Sequence, residues 1–406
     1  MPYLFVGAGQ AGSAVVDDIF GHKNMGRIAS PIVFNSTIRD LRNLTHIDSD
    51  SWYGIAEGHG LVAGGTPGFE EKVTGGFGRN PTEANDVMET IVDNGGLREV
   101  FADRFEGESD GPAEIPYAFV FVGLGGGTGC GIAPHIVREI RSYTGDRTPV
   151  IAVCILPNTE GPVSDGSDSE TEASPTRQAW NTRYGLERLE SEVDGIVFAD
   201  NQRLSYHVAA EGQFSEFNEY LASSFIDLVS GPVLEQIDPG SYEEIDTPII
   251  DLRDIVTSLT FGVGTGDTST GYAVLGRSVM MTRSLPGYLL PFIGKKPIDS
   301  AALTQLANSK LSVADIDPTD AEKAIGLIRA PPKRIRDPED GVETSVFRRY
   351  LQSNCNEVNL GVTLTKRNLV SFSMLLTFQR DGIDRLAEIE SLAEEYETNR
   401  ERIAAQ

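Results

Sequence analysis

Nine residues constrain this chain more than any others: Gly123-Leu124-Gly125-Gly126-Gly127-Thr128-Gly129-Cys130-Gly131, six of them glycine. They follow directly on an apolar, strand-like run (residues 117–122, YAFVFV) and precede a helical pattern over residues 132–142. Glycine loses more conformational freedom on folding than any other residue, so this density needs a reason beyond turning the chain. Bare backbone N–H groups can wrap an anion. Thr128 adds a hydroxyl donor, and the helix that follows aims its unpaired N–H groups and positive dipole end at the same point. The loop lacks the lysine of GxxxxGK[ST] and is therefore a different kind of phosphate cradle.

A second glycine loop, Gly7-Ala8-Gly9-Gln10-Ala11-Gly12, lies between a strand-like run at 3–6 and a helical pattern at 11–20. It fits the dinucleotide fingerprint GxGxxG. It also fits a tight strand-to-helix turn without a ligand. The NAD reading expects an acidic residue at the end of the second strand to hold the ribose. That place holds Asn35, which counts against an NAD-dependent oxidoreductase. Further apolar runs at 31–35, 149–156 and 195–199 alternate with helical patterns at 82–92 and 180–192. The alternation predicts an α/β, Rossmann-like doubly wound domain with a parallel sheet buried on both faces. Ligands of such sheets sit outside the carboxyl ends of the strands.

A helical pattern over 214–229 leads from this domain (expected at 1–230) to a smaller α+β second domain (231–406). There, residues 271–281, 324–328, 357–364 and 369–378 read as strands. The last two are expected to form an antiparallel hairpin through Thr365-Lys366-Arg367-Asn368. Residues 381–402 read as an amphipathic helix with a stripe of Ile383, Leu386, Ile389, Leu392 and Tyr396, expected to pack on the second domain. Segments 49–76 and 158–176 read as exposed loops, the first rich in glycine and the second in Ser, Asp and Glu.

With 60 acidic and 34 basic residues, the net charge is -26. Such a surface repels phosphates and anionic lipid, so nucleic acid and membrane are not expected as partners. No stretch reaches the roughly 18 apolar residues of a membrane span. Three scattered cysteines, Cys130, Cys154 and Cys355, make neither a disulfide framework nor a zinc site, which suggests the cytoplasm. The acidic balance suits concentrated salt, where screening shortens self-repulsion, and points to a halophilic source.

Residues 125–131, GGGTGCG, resemble the GGGTG[T/S]G signature of the tubulin/FtsZ superfamily, with Cys130 at the variable place. The other loops keep the family's order. Gly7–Gly12 resembles the first phosphate loop of FtsZ and of the archaeal CetZ group, and NSTIRDL at 35–41 resembles the second. GFGRNP at 76–81 is similar to the third loop, which approaches the terminal phosphate in the family. PNTEG at 157–161 resembles the ribose-contacting loop. Asn201, and Phe214 with Asn218, match the places of guanine-reading Asn residues and of an aromatic that stacks on the base. The resemblance implies GTP or GDP as ligand. Its contacts would come from Gly9, Gln10, Ala11, Asn35, Gly78, Arg79, Asn80, Gly125, Gly126, Gly127, Thr128, Gly129, Cys130, Glu160, Asn201, Phe214 and Asn218. Mg²⁺ would be held by phosphates and water, without a protein cage. It also implies head-to-tail filaments in which Asp251 and Asp254 complete the next subunit's site and position the attacking water. Ile249 stands where an Asn is usual two residues before the first acid, implying slower hydrolysis. By their spacing, the two acids also read as a helix-capping pair. Thr270-Gly271-Tyr272-Ala273 and AIGLIRAPP at 324–332 look CetZ-like, which implies a part in cell shape or motility. An FtsZ-like role in cytokinesis and a non-hydrolysing relative are the alternatives.

Overall fold

The computed structural model describes residues 3–23, 25–56, 58, 60–73, 75–105, 115–160, 174–205, 213–237, 250–262, 268–283, 296–335, 337 and 339–404. Two units divide the chain: residues 1–222 with 384–406, and residues 223–383.

The continuous apolar runs of the first unit form strands β1 (Tyr3–Ala8), β2 (Ala29–Asn35), β3 (Trp52–Ala56), β4 (Gly60–Ala63), β5 (Ala118–Gly123), β6 (Val150–Leu156) and β7 (Gly195–Asp200). Their order is β7-β6-β5-β1-β2-β3-β4, parallel throughout except for the β3–β4 pair. Every residue of β6 and β7 is buried, as expected of a parallel sheet covered on both faces. Chain order reverses at the β5–β1 junction, the place where doubly wound sheets open a crevice. The helices that leave this junction are Gly9–Phe20 and Thr128–Thr144. The second starts at Thr128, inside the glycine loop and four residues before the start expected from the pattern. Segment 49–76, expected as a loop, instead adds β3 and β4 to the sheet edge. Glycines interrupt the apolar alternation of WYGIA and GLVA, which hides both strands from a periodicity reading. Most of the other expected loop, residues 161–173, lies outside the described part.

The last helix, Asp384–Ala404, belongs to the first unit, not to the second as expected. It packs on helix Pro175–Glu190, and its Leu386, Ile389 and Ala393 are buried. Arg183 of that helix pairs with Glu390 and Glu397, and Arg385 pairs with Asp200. These anchors are charged, so a reading that assigns charges to the solvent face misses the side on which the helix docks.

In the second unit, β8 (Thr260–Phe261) and β9 (Ser269–Thr270) form a short antiparallel pair. A larger sheet has β10 (Tyr272–Met281), β11 (Lys323–Ala330), β12 (Glu357–Leu364) and β13 (Leu369–Phe378) in the order β12-β11-β13-β10. The expected β12–β13 hairpin is absent. β11 lies between them, parallel to β12 and antiparallel to β13. Four connecting residues suffice to pass over one intervening strand, because neighbouring strands lie only about 4.8 Å apart. On helix Gln213–Ile237, Asp227 is buried at 2% exposure and accepts from Arg277 and Arg329 at 2.8 Å each, and from Ser371 and Ser373. Burial pushes its carboxyl up, but the two guanidinium groups outweigh this and hold it below the usual range.

Candidate functional site

A cleft of about 500 Å³ opens among the loops that follow the strands of the first unit. Of the residues singled out from sequence, Gly9, Gln10, Ala11, Asn35, Gly78, Arg79, Gly125, Gly126, Gly127, Thr128, Gly129 and Asn201 line it. Ser36, Thr37, Asp40, Asn158 and Gln178 line it too, and sequence reasoning did not single them out.

Close approach explains two of the glycines. A Cβ on Gly12 would lie 2.0 Å from the Phe121 carbonyl oxygen, so the first helix can leave β1 against β5 only without a side chain there. A Cβ on Gly127 would lie 2.5 Å from the Asn80 nitrogen, because the loop at 78–80 rests on the glycine loop. The Ser36 and Thr128 hydroxyls hydrogen-bond at 2.8 Å and join the second loop to the fourth. Asn35 turns the second loop, its Oδ1 accepting from the Thr37 N–H at 3.2 Å. Asp40 is the one carboxylate among the described lining residues. Burial raises its pKa, partly offset by a hydrogen bond from Asn35 and by the charge of Arg39.

Helix Pro175–Glu190 holds the cradle from outside. Arg79 has φ +61°, a left-handed conformation uncommon for a residue with a side chain. The fully buried Asn181 donates to the carbonyls of Arg79 (3.1 Å) and Gly125 (3.2 Å), and Arg177 donates to the Gly78 carbonyl at 2.8 Å. Arg177, Gln178 and Asn181 share one helix face by their spacing, the only sign of them in the sequence.

Four of the singled-out first-unit residues, Cys130, Asn80, Glu160 and Asn218, are not among the described lining residues of the cleft. Cys130 is buried beneath the loop, its thiol donating to the Leu124 carbonyl at 2.7 Å, so its side chain packs and does not face a ligand. Asn80 stands at the start of helix Pro81–Asp93 and accepts from the Thr82 hydroxyl at 2.6 Å. Glu160 is exposed, its N–H donating to Asn158 Oδ1 at 3.0 Å. Asn218 is half-buried and hydrogen-bonds the carboxyl of Asp18. The side chain of Phe214 and the whole of Ile249 lie outside the described residues. In the second unit, Asp251 and Asp254 cap helix Leu252–Ser258 reciprocally. The Asp254 N–H donates to Asp251 Oδ1 at 2.9 Å and the Asp251 N–H to Asp254 Oδ2 at 3.0 Å.

The cleft joins glycine-rich backbone, a helix N-terminus and a polar rim with one carboxylate, Asp40, and one guanidinium, Arg79, in a chain that is otherwise strongly acidic. That combination suits a polyphosphate whose charge is met by N–H groups. Among the described residues, no cluster of three or more metal-ligating side chains is present and no helix is long and apolar enough to cross a membrane. Residues 103–209 match the family model "Tubulin/FtsZ family, GTPase domain". The chain is 25% identical to the tubulin-like protein CetZ1 of Haloferax volcanii, over 99% of this chain and 94% of that protein. Its fold matches the GDP-bound monomer of CetZ1 from Haloferax volcanii at 20% identity and a TM-score of 0.66, covering 98% of this chain and 100% of that one. A GTPγS-bound protofilament of CetZ2 from the same organism matches at 18% identity and a TM-score of 0.65, covering 97% and 100%.

Proposed function

We propose that the chain binds GTP, assembles head-to-tail into filaments and hydrolyses GTP at the junction between subunits, a reading supported by the match of residues 103–209 to the tubulin/FtsZ GTPase-domain model and by the CetZ-like fold. The cleft carries this reading: 500 Å³ floored by glycine backbone at the start of a helix. Its glycine N–H groups and the Thr128 hydroxyl would hold the phosphates, and the water shell of a Mg²⁺ ion on them would be met by Gln10 and Asp40, which also line the cleft. When bound, Mg²⁺ would neutralise the phosphate charge. Asn201 would read the base, an amide offering both a donor and an acceptor to guanine. A role in cell shape or motility is what the CetZ-like sequence features imply.

Asp251 and Asp254 of one copy would complete the cleft of the next and orient the attacking water. Their reciprocal cap is compatible with this, because each carboxylate holds one N–H and keeps a second oxygen. Asp254→Asn keeps an oxygen for the Asp251 N–H and removes only the charge. It should preserve nucleotide binding and assembly while slowing turnover about 10²-fold, the scale of lost acid–base help. Sedimentation and GTP turnover measured against protein concentration in high salt test the whole reading. Turnover per subunit should rise steeply above a threshold where polymer pellets. A rate per subunit that stays flat across that range would exclude a site completed between copies.

A further inference from the structure

An arginine at the second position of a charged helix ordinarily faces water. The Arg385 side chain is instead 3% exposed. Burying a guanidinium is costly unless its donors are met. Here its Nε donates to Asp200 Oδ2 (3.2 Å), one terminal nitrogen meets the Thr159 hydroxyl and Glu388 (2.8 Å each), and the other donates to the Pro157 carbonyl (2.7 Å). Asp200 is itself fully buried. These partners bracket two cleft residues. Pro157 and Thr159 flank Asn158, and Asp200 immediately precedes Asn201. The network also closes on itself. Asp200 Oδ1 accepts from the Gln202 N–H at 2.9 Å, and the Thr159 hydroxyl donates to Gln202 Oε1 at 3.0 Å. One planar guanidinium thus locks the loop after β6 to the loop after β7.

We infer that Arg385 is a positioning residue which, from the last helix, sets the base-and-ribose end of the cleft. It does not line the cleft and acts through Asn158 and Asn201. The inference rests on the guanine-nucleotide reading above. The phosphate end is held by a separate set of bonds, from Asn181, Arg177 and the Ser36–Thr128 pair. Loss of Arg385 therefore loosens base recognition while the phosphate cradle stays formed. Lysine is a poor substitute, because a point charge cannot reach three directions as a fork does.

The test compares dissociation constants of the full chain for GTP, GDP and ITP, which carries the same phosphates but lacks the 2-amino group of guanine. Wild type should prefer GTP to ITP. Arg385→Met and Arg385→Lys should weaken GTP and GDP binding together by about tenfold, the scale of one buried partner lost. The GTP/GDP ratio should hold while the GTP/ITP preference collapses toward one. Arg183→Met is the control: it cuts the Glu390 and Glu397 pairs that tie the last helix to helix Pro175–Glu190, and leaves the bonds from the last helix to the loops after β6 and β7 in place. It should lower the melting temperature and leave the GTP/ITP preference intact. If the Arg385 variants do not fold, Thr159→Val removes the bridging hydroxyl alone and should reduce the preference several-fold. A preserved preference in Arg385→Met, or in Thr159→Val where that stands in, overturns the inference alone, as does an equal collapse in Arg183→Met. A wild type that binds GTP and ITP alike overturns the guanine reading and the inference with it.

Discussion

Adding one methyl group at Gly127 or at its neighbour Gly126 separates what the glycine loop does for the fold from what it does for a ligand. A Cβ at Gly127 falls 2.5 Å from the Asn80 nitrogen and 2.6 Å from the Arg79 carbonyl carbon, about 0.9 Å short of ordinary contact. Both neighbours are backbone, and Asn181 and Arg177 pin the loop that carries them, so they cannot swing aside as a flexible side chain would. Overpacking of this kind costs about 1–3 kcal/mol. For a unit of this size it should lower the melting temperature by about 3–10 °C. A Cβ at Gly126 meets only the Gly123 carbonyl oxygen at 3.9 Å, so Gly126→Ala should melt within about 2 °C of wild type. Gly126 nevertheless lines the cleft, and its methyl group would stand where phosphate oxygens should lie. Thermal melts with and without GTP read both effects: Gly127→Ala loses apo stability, whereas Gly126→Ala keeps it and loses the GTP-induced shift. An unchanged GTP shift in Gly126→Ala, or an unchanged apo melt in Gly127→Ala, would refute the packing argument.

Acidification should expose His135, whose pKa is lowered to about 4, first by burial and then by Arg138 and Arg188. Between about 6.5 and 4 the unfolded chain binds the proton and the folded chain does not, so stability is lost as pH falls through that window. Melting temperature should decline from pH 7 to pH 5, and less steeply in His135→Asn. Asp227→Ala leaves Arg277 and Arg329 without their shared carboxylate and should cost about 3–5 kcal/mol, read from the urea midpoint. All three cysteines are buried, so a thiol reagent should label the native chain slowly and the urea-unfolded chain at once. With a net charge of -26, the chain should melt higher in molar KCl than in 50 mM salt.

The parts of the fold that could be read in advance are those whose cause is local. β5, β6 and β7 are unbroken apolar runs, and the glycine loops announce themselves because few other roles need so many bare backbones. What escaped depends on partners remote in the chain. Thr365–Asn368 looks like a hairpin turn, and nothing in those four residues reveals that β11 lies between the strands they join. Asn181 looks like any polar residue on a helix, yet its partner Arg79 is 102 positions away. Arg183 and Arg385 look like solvent-facing charges because their acids come from other elements. Cys130 shows the reverse error: a motif places it in the loop, while the turn of the helix carries its side chain into the core.

The return of the last helix to the first unit makes that unit discontinuous, with residues 223–383 inserted into it. On a ribosome, β1 to β7 emerge long before the segment that finishes their domain. Asp200 must wait 185 residues for Arg385, and Thr159 waits 229 for Glu388. Contacts so distant in sequence form slowly, since the intervening loop must close before they repay it. The inserted unit is free to fold first, and the cleft loops after β6 and β7 become rigid only once synthesis has passed helix Asp384–Ala404. Nascent chains would thus be kept from a fully formed cleft until helix Asp384–Ala404 has emerged.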